Sequence, residues 1–131
     1  MTDIELIEKA KTAAKTAYVP YSGYTVGAAL LCKSGKVYLG CNIENAAYSP
    51  TNCAERTAFF KAVSEGEREF TKIAVVGGKS LDFKDYFPPC GVCRQVMKEF
   101  CTEDFTVLLG KNGEEYLEYT LSDLLPAGFS L

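Results

Sequence analysis

The chain contains no histidine. That absence removes the side chain most often used as a general base near neutral pH, so proton transfer at any catalytic site falls to a carboxylate. Positive charge is not in surplus either: 14 lysines and arginines face 17 acidic residues, for a formal net charge of −3. Extended contact with nucleic-acid phosphates or anionic lipid is therefore disfavoured. Apolar runs such as VGAALLC are far too short to cross a bilayer, so no membrane partner is expected. The opening residues, MTDIELIEKA, are acidic and amphipathic and lack the basic and apolar regions of a signal peptide, which makes a cytoplasmic location the expectation. No repeat, linker or low-complexity stretch interrupts the chain. Its 131 residues suit one domain, residues 1–131, with a core of its own. What the chain does have is six cysteines. In a reducing compartment three disulfides are not expected, and clustered thiols point to metal binding or catalysis.

Periodicity and turn residues order the elements. Thr2 and Glu5 have capping-box spacing, and Ile4, Ile7, Ala10, Ala14 and Tyr18 follow a helical period, predicting a helix over 3–17. TVGAALLC and VYLGC, joined by KSGK, read as a hairpin with Cys32 and Cys41 in apolar strands. A polar loop, NIENAAYSPTN, leads into a helix over 53–65, with Ala58, Phe59, Ala62 and Val63 on one face and Gly66 as its stop. KIAVVGG is a third strand, and 91–100 a helix with Val92, Val96 and Phe100 aligned. FTVLL and EYLEYTL flank an Asn-Gly turn, and SDLLPAGF forms a short terminal helix or turn. The order α-β-β-α-β-α-β-β predicts an α/β fold: a single mixed five-stranded sheet with helices on both faces.

Cys90 and Cys93 form a C-x-x-C at the start of a predicted helix, where a spacing of three puts both thiols on one face. Cys53 opens another helix. Backbone N–H groups and the helix dipole favour thiolates at both places. Three soft sulfur donors suit Zn²⁺, and the lack of a fourth protein donor leaves a position for water that the metal can acidify. Glu55, two residues past Cys53, is placed to take a proton from that water. Three thiolates blunt the Lewis acidity of the ion, and Arg56 is expected to withdraw charge from a ligand sulfur, with Arg94 as a second candidate.

Plainer readings stand beside this one. A thioredoxin-like redox pair at 90 and 93 explains neither Cys53 nor Glu55. A closed structural zinc site needs a fourth ligand, for which Cys41 and Cys101 are the only plausible donors. Otherwise Cys32, Cys41 and Cys101 are most simply core thiols. Asn42, Glu44 and Asn45, judged on spacing alone, are loop polar residues.

The stretches Cys53-Ala54-Glu55 and Pro89-Cys90-Gly91-Val92-Cys93 fit the three-cysteine form of the zinc deaminase signature. With PYSGYTVGAALL, GCNIENAAYSPTNCAERTAFFKAVSEGE, PCGVCRQVMKEFC and LLPAGFS in the same order, nearly the whole chain resembles the small homotetrameric cytidine deaminases of nucleoside salvage. The resemblance implies a three-layer cytidine deaminase-like fold and one Zn²⁺ per subunit on Cys53, Cys90 and Cys93. It implies hydrolysis of cytidine and 2′-deoxycytidine to uridine and 2′-deoxyuridine plus ammonia, with Glu55 shuttling protons. Asn42 and Glu44 would hydrogen-bond the ribose 3′-hydroxyl, lifting them out of the loop reading. The Ala54 carbonyl would accept from the exocyclic amine, and Tyr24 would pack on the base. Tyr48 and Phe129 would reach a neighbouring subunit's site, so that sites are shared across a homotetramer.

Three features depart from the family pattern: Tyr24 stands where phenylalanine is usual, the 77–89 loop is longer, and the chain ends at Leu131, just after Phe129. A related nucleoside such as blasticidin S is the alternative substrate. A free base or nucleotide is disfavoured by the NIEN segment and by the lack of a basic cluster for phosphate. A nucleic-acid editor is disfavoured by the acidic balance and by the Asn112-Gly113 hairpin.

Overall fold

Residues 24–32 and 70–79 are each too apolar for one-sided burial, and the computed structural model, which describes residues 1–131, places both inside a sheet covered on its two faces. The elements are α1 (Asp3–Ala14), β1 (Tyr24–Cys32), β2 (Val37–Cys41), α2 (Ala54–Ser64), β3 (Phe70–Lys79), α3 (Gly91–Phe100), β4 (Thr106–Gly110), β5 (Tyr116–Thr120) and α4 (Leu121–Leu124). Strand order is β2-β1-β3-β4-β5. Only β3 and β4, joined across α3, run parallel; the other pairs are antiparallel, so the sheet is mixed as expected.

Alternation along each strand sorts the side chains into two cores. Ala29, Ala74, Val76 and Leu108 face α1, which contributes Leu6, Ile7, Ala10 and Ala14. Ala28, Leu30, Ile73, Val75, Val107 and Leu109 face the opposite way, against α2, α3 and α4. Phe59 centres this second core, with Phe70, Phe100 and Phe105 at ring-centroid distances of 5.1, 6.3 and 6.0 Å. Two glycines let helices close on the sheet. A Cβ at Gly27 would stand 1.9 Å from the Ala10 carbonyl oxygen, and one at Gly40 would stand 2.2 Å from that of Ala54. Gly40 thereby sets how closely the start of α2 approaches β2. The free edge of β2 is guarded by Lys61, whose Nζ donates to the Leu39 carbonyl at 2.6 Å.

Several expectations need correction. The first helix ends at Ala14, not at 17, because the Tyr18 N–H leaves the helical ladder for the Asn42 carbonyl at 3.0 Å. Its buried face is Leu6, Ile7, Ala10, Ala13 and Ala14, while Tyr18 is exposed. Val63 of α2 is only half-buried. On α3 the buried pair is Cys93 and Met97, an i, i+4 stripe, and Val92 points to solvent. Cys32 is a core thiol, pushed up to about 11 chiefly by burial. Cys41 and Cys101 are half-buried, although burial still pushes the Cys101 thiol up to about 12.

Candidate metal centre and active site

Both helices that bear the thiols begin on cysteine. Cys53 is the N-cap of α2 and Cys90 the N-cap of α3, each with extended backbone, and Cys93 lies one turn into α3. The three sulfur atoms lie within 4.8 Å of one another. Cys53 Sγ and Cys90 Sγ are 3.7 Å apart, and the Cys93 N–H donates to Cys90 Sγ at 3.4 Å. Neither Cys41 nor Cys101 joins the cluster, so the closed four-thiol alternative finds no support. Arg56 Nη2 donates to Cys53 Sγ at 3.2 Å, while its Nε is a buried donor without a partner. Arg94 makes no such bond to sulfur. It points instead to the backbone, donating to the carbonyls of Pro89 and Leu124.

Electrostatics favour anionic sulfur here. Cys53 is held at about 5, well below the ordinary thiol range, chiefly by a hydrogen bond from the Cys93 thiol and further by Arg56, against the cost of burial. Cys93 is raised by the same hydrogen bond and by burial, so the first negative charge of the pair rests on Cys53. Three convergent soft donors, one already a thiolate, beside a cationic side chain with an unsatisfied donor, fit one Zn²⁺.

Glu55 is 4% exposed, the one buried charged residue in the chain. Burial is the main cause that pushes it up to about 7, the nearby Cys53 charge adding to the effect and Arg56 opposing it. With Cys53, Ala54 and Cys90 it lines a cavity of about 250 Å³ that also takes in Tyr24, Asn42 and Glu44. Ala54 lies at the buried floor, its carbonyl against Gly40.

The NIEN segment reaches this cavity because it is pinned on both sides. The Glu44 N–H donates to Tyr18 O, and Ile43 and Asn52 exchange two backbone bonds of 2.9 Å just before Cys53. Asn42 spans to β1, accepting from Val26 N at 2.9 Å and donating to Tyr24 O at 2.8 Å. Each end of its amide keeps one more hydrogen-bonding position. Glu44 accepts from the Ser22 hydroxyl and from the N–H groups of Tyr21 and Ser22 at 3.0 and 3.1 Å. These bonds, the Ser22 hydroxyl first, hold its carboxyl below the usual range, so it stays an acceptor.

Tyr24 lies at the rim, with Lys79 Nζ 5.9 Å from its ring centroid. Tyr48 and Phe129 do not enter the cavity of their own chain. Tyr48 is exposed and adopts a left-handed backbone (φ 63°), and Phe129 is exposed with its carbonyl held by Gln95. Ser22 and Phe87, which carry no motif of their own in the sequence, also line the cavity. Phe87 rests on Gly77, ten residues earlier in the chain, where a Cβ would meet its ring at 2.5 Å. A larger cleft of about 520 Å³ adjoins, sharing Tyr24 and Phe87, but contains no thiol.

A sheet with helices on both faces, and thiols converging from two helix starts beside a buried glutamate, define a zinc-binding deaminase centre. The chain belongs to that family: the model described as "Cytidine and deoxycytidylate deaminase zinc-binding region" matches residues 1–109. Among curated relatives, the cytidine deaminase of Sporosarcina psychrophila is 54% identical over 129 residues, covering 98% of this chain and 92% of the relative. The crystal structure of cytidine deaminase from Burkholderia pseudomallei superposes with a TM-score of 0.91 at 47% identity, covering 98% of this chain and all of that one. A blasticidin-S deaminase from Bacillus cereus is more distant, 32% identical over 132 residues, covering 98% of this chain and 92% of the relative.

Proposed function

We propose that the protein is a zinc-dependent cytidine deaminase that hydrolyses cytidine and 2′-deoxycytidine to the uridine nucleosides and ammonia. The observation that carries this reading is the placement of Glu55: a buried carboxyl lining the same cavity as two of the metal-fitting thiols and the ionised Glu44.

Cys53, Cys90 and Cys93 would hold the ion. Bound there, zinc supplies the Lewis acidity that makes water a nucleophile at neutral pH. Glu55 takes a proton from the attacking water as its oxygen adds to C4, and passes the proton to N3 of the ring. It then takes the remaining hydroxyl proton and delivers it to the amino group, which leaves as ammonia while the C4 carbonyl forms. One carboxyl must accept and donate in each turnover, and an affinity for protons centred near neutral pH serves both steps. Asn42 and Glu44 orient the substrate through the ribose 3′-hydroxyl, using the positions left free by the partners they already have. Ala54 offers its backbone to the amine, and Tyr24 covers the base. Arg56 draws charge from Cys53, limiting the loss of Lewis acidity that three thiolates impose.

The exposed Tyr48 and Phe129 are read as contributions to a neighbouring subunit's site in a homotetramer acting in the cytoplasm. No helix of the chain is long and apolar enough to cross a membrane.

The test is an ultraviolet assay of purified protein with cytidine, deoxycytidine, cytosine, dCMP and blasticidin S in parallel, with metal analysis of the same sample. Turnover of the first two with about one zinc per chain is expected. Turnover of blasticidin S alone, or none by a zinc-loaded sample, would overturn the assignment.

A further inference from the structure

The three thiols are not held equally. Cys93 is buried, and Cys53 is half-buried with Arg56 on its sulfur, but Cys90 is exposed, its sulfur bonded by the Cys53 sulfur at 3.7 Å and by the Cys93 N–H at 3.4 Å. Neither contact holds the backbone that carries Cys90, and Arg94 is placed to do so. This residue is the fourth of α3, so its cation sits near the positive end of its own helix, where it is unfavourable unless its donors are used locally.

They are. Arg94 Nε donates to the Pro89 carbonyl at 2.8 Å, and Nη1 donates to the Leu124 carbonyl at 2.6 Å. Pro89 is fully buried and immediately precedes Cys90. Because the peptide group is planar, holding the Pro89 oxygen fixes the plane that carries the Cys90 nitrogen and Cα. Leu124 ends α4, so the second bond satisfies a carbonyl that the helix leaves unpaired, at the end where a cation is favoured. The next residue, Gln95, holds the Phe129 carbonyl at 3.2 Å. Two consecutive residues of the ligand-bearing helix thus grip the C-terminal segment, and one of them also grips the peptide in front of a ligand.

We propose that Arg94 is a positioning residue of the thiol centre, fixing Cys90 through the Pro89 carbonyl and coupling that placement to the C-terminal turn through the Leu124 carbonyl. The inference rests on the zinc reading above. Its route differs from that of Arg56, which acts on a sulfur directly. Loss of Arg94 loosens the geometry of the ligand set and leaves the charge on sulfur alone.

The experiment compares wild type, Arg94→Gln, Arg94→Lys and Thr2→Ala, each loaded with zinc or with cobalt(II). The last variant removes a helix cap on the opposite face of the sheet and serves as a stability control. Four quantities are read: zinc release to a chromogenic chelator, the sulfur-to-cobalt charge-transfer band, kcat and KM, and Tm. Arg94→Gln is expected to release zinc about tenfold faster and to shift or weaken the cobalt band. Its kcat should fall about tenfold with KM within threefold. Arg94→Lys, a point charge that cannot fork between two carbonyls, should fall between the two. Thr2→Ala should lower Tm and leave band and release rate unchanged. If Arg94→Gln lowers Tm while band and release stay within twofold of wild type, Arg94 is only a brace and the proposal fails. Should the glutamine variant not fold, a lysine variant with wild-type band and release overturns it equally. A wild-type protein that takes up neither metal would sink the zinc reading itself, a distinct result.

Discussion

Four helices begin in two chemically different ways. In α1, Thr2 Oγ1 accepts from Glu5 N and the Glu5 carboxylate accepts from Thr2 N, both at 3.1 Å; in α4, Thr120 and Asp123 do the same at 3.2 and 2.9 Å. These are complete capping boxes. Helices α2 and α3 begin on cysteine instead. Cys53 makes no side-chain cap bond, and Cys90 offers only a sulfur, a weak acceptor, at 3.4 Å from Cys93 N. The threonine-capped helices spend their first N–H groups on their own caps. The cysteine-capped helices leave that positive end facing the sulfur cluster, where it stabilises thiolate. Capping strength and site chemistry draw on the same backbone groups, and the molecule divides its helix starts between them.

The sharpest break in this comparison is at Glu55, in the first turn of α2. Glu55→Gln keeps the shape and the helix but cannot carry a proton; kcat should drop by about 10²–10⁴-fold with zinc content intact. Activity within tenfold of wild type would remove Glu55 from the proton path. Cys90→Ser separates capping from ligation. Oxygen is the better cap, so the metal-free variant should melt no lower than the wild type, yet its zinc content should fall well below one per chain. Full zinc retention would show that Cys90 is a cap and nothing more. Arg56→Gln should weaken zinc binding about tenfold, read by chelator competition, while leaving the helix start in place. Unchanged affinity would reduce Arg56 to a neighbour of the site.

Much of this division was legible in the sequence because it is local. Thr2 with Glu5, Cys90 with Cys93, and Cys53 with Glu55 are separated by two or three residues, and helical geometry alone decides what they can share. The sheet, too, follows from short hairpin turns and apolar runs. Long-range pairings were hidden. Ser22 with Glu44 and Phe87 on Gly77 join segments that only the finished fold brings together. Val92 and Arg94 show a second limit. Both lie in a helix placed correctly, but Val92 is left in solvent and Arg94 is drawn to a carbonyl at position 124, thirty residues away. The fold class was readable, the thiol cluster and its glutamate were readable as a hypothesis, and the backbone partners of the second Arg were not.

The threonine-capped side of the comparison gives smaller effects. Thr2→Ala should lower the unfolding free energy by about 1 kcal/mol, seen in denaturant titration, with kcat unchanged. A change in kcat would mean that the two kinds of helix start are not independent.

The smallest effect concerns Asp3, the first residue of α1, which ties that helix to the sheet rather than to itself. Its carboxylate meets Lys72 Nζ of β3 at 2.7 Å and accepts from the Tyr116 hydroxyl of β5 at 3.1 Å. The Lys72 hydrogen bond is the main cause that holds its carboxyl below the usual value, with Tyr116 adding to it and partial burial opposing. A carboxyl with a depressed folded value stabilises the fold above its unfolded pKa and loses that contribution as pH falls through the folded one. Asp3→Asn should therefore cost at most about 1 kcal/mol at pH 7. The gap between variant and wild type should hold down to about pH 4 and close as the solution is made more acid. Raised salt should narrow it only in part, because the pair is mostly sheltered from solvent. A gap that stays constant as the solution is made acid enough to neutralise Asp3 in the folded protein would show that the side chain acts at the helix start by packing and hydrogen bonding rather than by its charge. It would then belong with the capping threonine beside it and not with the charged groups at the thiol centre.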